Sequence, residues 1–339
     1  MRNIAITIAI PLYNGADFIA ETIESVLNQS YGDFEIIISD DGSTDASLEI
    51  VRRYSDSRIH LDEHDHLGIA ANWNRCLSLA RGRYMKLLPQ DDLLYPDCIK
   101  ESVSCLDRCT SPSLFFSRRD ILFDSKDSWS SYWARRHRVL DLPLQPLLPV
   151  EEGTTVIQRW ASLGFAQNCI GEPVTVMFPV ALAKSIQGFA EMLNQNLDYA
   201  FWIRMLARGQ MCFSPQELCA YRFHSNNATY ANRSVEGSLP EYLRLIEVLR
   251  QDQILSQDAC VREVLDGKKK NRNGWLKRMV DRPAVGQVLG PVKKQFPDAT
   301  ALLAEWLFSD QSPTREGMSD RELYSSSNKQ KREIVSKKI

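Results

Sequence analysis

Two pairs of adjacent carboxylates are the first residues in this chain that could do chemistry. Asp40-Asp41 follows the apolar run Phe34-Glu35-Ile36-Ile37-Ile38-Ser39, and Asp91-Asp92 follows the run RYMKLL at 83–88. Side-by-side carboxylates repel one another, and a cation or a hydrogen-bond donor relieves the repulsion. In an open α/β sheet, ligands bind outside the carboxyl ends of the strands, so both pairs are expected to face one crevice. One pair can accept hydrogen bonds from a nucleobase N–H or from ribose hydroxyls. The other can hold a divalent metal through hard oxygen ligands, with water and phosphate oxygens completing the shell. Asp-Asp-Gly-Ser alone also describes a turn before a helix, and it is the second pair at a matching strand end that favours a ligand site. The sequence has neither Gly-x-Gly-x-x-Gly nor Gly-x-x-x-x-Gly-Lys-Ser/Thr, so phosphate charge would have to be met mainly by the metal.

The elements that must position these groups follow from periodicity. Residues 4–10 (IAITIAI) form a continuous β-branched run suited to a strand buried on both faces. Pro11 and Asn14-Gly15 signal a turn. Residues 17–29 have helical spacing, with Asp17 as N-cap. A strand is expected over 34–39, then a helix over 45–54 capped by Ser43 or Thr44. A short strand at 58–61, a helix over 69–81 ending at Gly82, and a strand at 83–88 follow. The alternation predicts an α/β fold with a parallel, doubly wound sheet. Residues 118–170 are less regular, with two basic pairs, several tryptophans and a Pro-rich stretch, and read as an inserted region covering the sheet. Strand 174–178, helix 197–208 and a strand–turn–strand over 211–223 come next. From Pro240 the pattern is helical and polar, and the tail after about 310 has the composition of a disordered segment.

Composition narrows the partners. A formal net charge of −2 gives no basic field for nucleic acid. No run approaches the ~18 apolar residues of a membrane span. The first residues are apolar only briefly before a turn, which suits a first strand rather than a signal peptide and makes a cytoplasmic protein the expectation. The eight cysteines form no Cys-x-x-Cys, so free thiols are expected.

A run of segments in order then resembles the family 2 glycosyltransferases: Pro11-Leu12-Tyr13-Asn14, Ser25-Val26-Leu27-Asn28-Gln29, Phe34-Glu35 through Asp45, Asn72-Trp73-Asn74, Ala80-Arg81-Gly82-Arg83-Tyr84, Gln90-Asp91-Asp92 with Pro96-Asp97, Gly188-Phe189, Asp198 through Arg204, and Tyr221-Arg222-Phe223-His224. The resemblance covers residues 4–226. It implies a GT-A fold, Rossmann-like with a mostly parallel sheet flanked by helices. The implied organisation is a catalytic domain over 1–226 with an acceptor-side insertion at 118–175, a helical region over 227–310 and a disordered tail over 311–339. It implies transfer with inversion from a nucleotide sugar (UDP-, dTDP- or GDP-linked) to a hydroxyl of a glycan, glycolipid or other acceptor, with Mn2+ or Mg2+. The residues implied are Pro11, Tyr13, Asn14 and Asn74 around the nucleotide sugar, Asp41 accepting from the base, and Asp91 on the ribose or donor sugar. Asp92 would bind the metal with His224 nearby, and Asp198 would be the general base. A single displacement needs one base and one stabiliser of the leaving diphosphate. Two positions depart from the family pattern: Pro89 and Leu197 stand where many relatives carry a carboxylate.

Those two losses also admit a non-catalytic sugar-nucleotide-binding module. A nucleotidyltransferase is disfavoured by the absence of a basic, glycine-rich loop after the first strand. Trp73 and Trp202 fall in helical apolar patterns and are expected in the core. Trp129, Tyr132 and Trp133 could stack on an acceptor sugar. The run 135–138 and Lys268-Lys269-Lys270 near Trp275 read as solvated charge or as contacts with a membrane surface, so peripheral association with the inner face of the membrane stays open. His60, His64 and His66 lack the partners of a zinc site. By family analogy the setting is assembly of a surface polysaccharide such as lipopolysaccharide. Donor sugar, acceptor and oligomeric state are not legible.

Overall fold

The computed structural model describes residues 5–123, 130–131, 134, 137–165, 167–225, 227 and 235–266. Trp129, Tyr132, Trp133, Arg135, Arg136, the lysines 268–270, Trp275 and the tail 311–339 lie outside the described residues.

The first half is the expected alternation. It comprises β1 (Ile6–Leu12), α1 (Ile19–Leu27), β2 (Phe34–Asp40), α2 (Ser47–Val51), β3 (Ile59–Glu63), α3 (Ile69–Leu79), β4 (Tyr84–Leu87), β5 (Leu93–Leu94) and α4 (Cys98–Leu106). The second half comprises β6 (Pro112–Phe123), β7 (Val150–Glu152), α5 (Gly153–Ser162), β8 (Val176–Pro179), α6 (Val180–Ser185), α7 (Leu197–Leu206), β9 (Gln210–Phe223), α8 (Val235–Gln251) and α9 (Ala259–Leu265). All the strands join one nine-stranded sheet in the order β3-β2-β1-β4-β8-β6-β9-β5, with β7 on β9.

The four strands β3-β2-β1-β4 are parallel, as βαβ crossovers require. The rest is mixed: β8 runs antiparallel to both β4 and β6, whereas β6 and β9 are parallel. Two expectations need correction here. The region 118–170 is not simply a cover, because β6 and β7 are strands of the sheet itself. Residues 211–223 do not form a strand, turn and strand, but one long strand whose pairing with β6 slips around Ser117–Asp120.

Helix caps also differ from expectation. The N-cap of α1 is Phe18 rather than Asp17, and that of α2 is Ala46 rather than Ser43 or Thr44, neither with a side-chain cap. The polar side chains around α2 are used elsewhere, as described below.

Burial explains the register. In β1 and β2 every position but Pro11 is buried. Glu35 is 2% exposed, yet its partners make the burial tolerable: Thr7 Oγ1 donates at 2.6 Å and the Arg81 N–H and Nε donate at 3.0 and 2.7 Å. Burial pushes its carboxyl up, but the Thr7 and Arg81 hydrogen bonds outweigh this and hold it below the usual range. Gly82 is required beside it, because a Cβ would stand 2.4 Å from the Thr7 nitrogen. Trp73 and Trp202 are core residues, 7% and 0% exposed. Leu243, Leu245, Ile246 and Leu249 of α8 and Val261 and Leu265 of α9 join the same apolar cluster as α3, α5 and α7. All eight cysteines are free, and seven are buried. No helix of the described residues is long and apolar enough to cross a membrane.

Candidate active site

The carboxyl ends of β1, β2 and β4 open into a cleft of about 1200 Å3. Pro11, Tyr13, Asn14, Asp41, Asp91, Asp198 and His224 all line it, so seven of the nine residues expected at the site are brought together.

The loops after β1 and β2 are locked to each other. Asn14 takes a left-handed backbone (φ 49°); its N–H donates to Ser43 Oγ at 2.9 Å and its Oδ1 accepts from the Thr44 N–H at 2.8 Å. The Gly15 N–H donates to Ser47 Oγ, and the Ala16 N–H to Asp45 Oδ2. Asp40 Oδ2 accepts from the Ser43 N–H, closing a turn in which Gly42 has φ 74°. Of Asp40–Asp45 only Asp41 lines the cleft; Asp40, Ser43, Thr44 and Asp45 lock the loops behind it, and Asp45 Oδ1 also accepts from the Ser47 N–H at the start of α2 at 2.9 Å.

Asp41 is 2% exposed and both of its oxygens are engaged. The Leu67 N–H donates to Oδ1 at 2.6 Å and the Gly68 N–H to Oδ2 at 3.0 Å, and His66 Nδ1 also lies 3.0 Å from Oδ2. Its first task is to hold the loop 64–68. That loop presents His66, whose ring centroid lies 4.4 Å from that of Tyr13, an exposed aromatic at the cleft edge. Tyr13 is fixed in turn by Gln90, whose Oε1 accepts from the Tyr13 N–H at 2.7 Å while its Nε2 donates to the Tyr13 carbonyl at 3.0 Å. An amide can make both bonds, whereas a carboxylate could only accept. His66 and Gln90 were not anticipated as site residues. The only sequence signal for Gln90 is its place beside the second Asp pair.

That second pair divides its work differently from the expectation. Asp91 reaches the cleft, where its Oδ2 lies 2.9 Å from His224 Nε2. Asp92 does not line the cleft and is wholly buried. Its Oδ1 accepts from the Arg222 N–H at 2.8 Å, while Oδ2 has no protein partner. Burial first, and then the neighbouring charge of Asp91, push its carboxyl well above the usual range. The Arg222 side chain is committed to the Asp91 carbonyl and to Glu21. Asp91 and His224 at the cleft suit a divalent cation that draws its remaining ligands from phosphate and water, whereas the unpartnered Asp92 oxygen is buried behind them and does not reach the cleft. Among the described residues no group of three or more His, Cys, Asp or Glu side chains is placed to hold a metal ion. His60 pairs with Arg81, His64 with Ser39 and Asp41, and His66 with Asp41 and Tyr13, so His64 and His66 share Asp41.

Asn74 does not reach the cleft. Its side chain accepts from the Phe189 N–H at 2.8 Å and donates to the Phe189 carbonyl at 2.9 Å, tying α3 to the loop at Gly188.

At the other wall Asp198 stands in the first turn of α7, partly open to the cleft. The Tyr199 N–H donates to its Oδ1 at 2.7 Å, and Asn168 Nδ2 lies 3.4 Å from Oδ2. Desolvation raises its pKa to about 7; the Tyr199 hydrogen bond pulls the other way and the charge of Glu172 adds to the rise. A carboxylate titrating near neutrality can accept a proton from a hydroxyl and release it.

Comparison with known proteins agrees with this architecture. The sequence profile of Glycosyl transferase family 2 matches residues 7–160. An uncharacterised protein of Mycobacterium tuberculosis is 30% identical over 251 residues, covering 74% of this chain and 76% of that protein. An uncharacterised glycosyltransferase of Rickettsia typhi is 29% identical over 299 residues, 83% of this chain and 86% of the relative. The fold is shared with S. aureus TarS 1–349, solved in complex with UDP-GlcNAc. It superposes with a TM-score of 0.65 at 16% identity over 89% of this chain and 84% of that one. With the GT-A sheet, the paired loops and the strand-end carboxylates in place, the chain belongs to the family 2 glycosyltransferases.

Proposed function

We propose that this transferase moves a sugar from a nucleoside-diphosphate donor to an acceptor hydroxyl with inversion, with a divalent cation, in assembly of a cell-surface glycan at the cytoplasmic side. The observation that carries the reading is Asp198: a carboxylate in the first turn of α7 at the cleft wall, opposite the nucleotide loops, with its pKa raised by burial to about 7. One positioned base of this kind is what a direct displacement needs.

In this reading the nucleobase rests against Tyr13 and His66, between Pro11 and the loop that Asp41 holds. The TarS complex with UDP-GlcNAc supports a nucleotide sugar as donor class. Asp91 and His224 face the diphosphate and would hold Mn2+ or Mg2+ with it, while the buried Asp92 carboxyl stands behind them. The cation, when bound, offsets the negative charge that grows on the leaving diphosphate. Asp198 takes the acceptor proton, and Asn168 and the Tyr199 N–H keep its carboxylate aimed. The acceptor approaches past Leu140, Leu142, Asn194 and Gln195.

The test is a thermal-shift screen of UDP, dTDP and GDP with and without Mn2+, repeated on Asp91→Ala. A ligand that binds only the folded state raises the melting temperature by mass action. One diphosphate should stabilise the wild type only with metal, and the variant should lose that effect. No shift with any diphosphate, with or without metal, would overturn the reading.

A further inference from the structure

The acidic neighbour that many relatives place directly before the base is Leu197 here, fully within the core. The region where the family resemblance fades supplies a different carboxylate. Glu172 lines the same cleft as Asp198 and Asp91, in the loop that leads into β8. This loop is braced against the base on three sides. Asn168, which reaches Asp198, also donates from Nδ2 to the Gly171 carbonyl at 3.0 Å; Trp202 Nε1 of α7 donates to the same carbonyl at 3.1 Å; and Thr175 donates from its hydroxyl to the Glu172 carbonyl at 2.8 Å. The carboxylate itself is gripped by Arg119 of β6, with Nε at 2.8 Å and Nη2 at 3.1 Å. Arg119 is 4% exposed, and its third nitrogen donates to the His137 and Arg138 carbonyls at 2.8 and 3.0 Å. A buried guanidinium with a two-point grip fixes a carboxylate far better than a surface pair would.

We propose that Glu172, oriented by Arg119, is a positioning residue for the base: from the loop that Asn168 and Trp202 tie to α7, its fixed carboxylate tunes the proton held at Asp198. This rests on Asp198 being the base of the proposed transfer. A like charge fixed nearby favours the protonated form of a carboxylate. Burial is the largest cause of the raised proton affinity at both Asp198 and Asp92, and the charge of Glu172 adds to it at each. The other titratable groups lining the cleft around Asp198 are His137, Asp91, His224, Tyr199 and Tyr221. Of the groups around it, Glu172 is the one whose charge raises Asp198.

The experiment follows Asp198 directly, by carbon NMR of the chain labelled with 13C at aspartate carboxyls, with Asp198→Asn identifying the resonance. In Glu172→Gln the midpoint of Asp198 should move to lower pH, on the order of half a unit for one partly screened charge several ångströms away. Because Glu172→Gln strands a buried guanidinium whose own charge also favours the ionised carboxylate, the double variant Glu172→Gln with Arg119→Gln is measured as well and should show a smaller shift in the same direction. An Asp198 midpoint equal to wild type in the folded variants overturns the proposal, and so does an upward shift. The acid limb of donor turnover against pH should move with the NMR midpoint. A wild type that turns over no nucleotide sugar would defeat the transfer reading and leave the NMR result standing.

Discussion

Asp198→Asn should make the protein more stable and inactive at once, with the gain growing between about pH 4 and pH 7 and then levelling off. Burial shifts the carboxyl from 3.8 to about 7, so across that window the folded chain holds a proton that the unfolded chain has released. Stability therefore falls as pH rises through the window, by about 1.4 kcal/mol per unit, and the full penalty is present above about 7. The gap of about three units corresponds to about 4 kcal/mol as an upper value. Two features reduce what the substitution recovers. Asp198 keeps some contact with cleft water, which screens part of the penalty. Asn168 also has its Oδ1 occupied by the Ile170 and Gly171 N–H groups, so it can offer only an N–H to position 198. An asparagine amide there faces a donor and forfeits about 1 kcal/mol. A net gain of about 2 kcal/mol at pH 8 remains, or roughly 4 °C in melting temperature at about 2 °C per kcal/mol for a chain of this size. Denaturant titrations of both proteins at pH 4.5, 6 and 8 read the difference. A stability difference that does not change with pH, or an asparagine variant less stable than wild type at pH 8, would refute the placement of this carboxylate.

Two further substitutions separate bracing from binding. Asn74→Ala removes both hydrogen bonds to Phe189 and should destabilise the fold by about 1–3 kcal/mol while nucleoside-diphosphate affinity, measured by calorimetry on the folded fraction, stays unchanged. Weaker nucleotide binding at unchanged stability would return Asn74 to the site. His66→Ala removes the ring against Tyr13 and should weaken nucleoside-diphosphate affinity by roughly 3- to 10-fold, the worth of one aromatic contact, with little change in melting temperature; unaltered affinity would place the base elsewhere.

The parallel part of the sheet was legible because β1 and β2 are buried on both faces and so must be written in Ile, Ala and Leu. Strand β6 was not. It carries Arg118, Arg119 and Asp120 in succession, and each charge is met by a partner distant in sequence: Asp141, Glu172 and Tyr95. No local pattern can show that a run of charges will be neutralised from elsewhere in the chain, so the stretch looked irregular. The site divides in the same way. Tyr13, Asp41, Asp91, Asp198 and His224 were readable because a strand end dictates where they point or because their segment has a family place. Asn74 was misread because an amide bonds whatever packs against it, and here that is the Phe189 backbone. Asp17, Ser43 and Thr44 resemble caps, yet the helices open one to three residues later and the Ser43 and Thr44 groups tie one loop to another. Gln90 and Glu172 act through partners, Tyr13 and Arg119, that only the fold brings near.

The charge around the cleft bears on how a diphosphate could be held there. Among the described residues, its lining includes Asp17, Asp41, Asp91, Glu172 and Asp198, and no lysine or arginine. The nearby guanidiniums are already spent: Arg119 on Glu172 and two carbonyls, Arg222 on Glu21 and the Asp91 carbonyl. A nucleoside diphosphate entering such a surface adds negative charge to a negative wall, and more develops as the sugar leaves. The end of α1 gives little help, since it opens at Ile19 behind Phe18 and its first turn carries Glu21; the end of α3 lines the cleft at Gly68 and Ile69, but the Gly68 N–H is already bonded to Asp41. Donor binding should therefore depend steeply on an added divalent cation, which Asp91 and His224 would meet at the cleft.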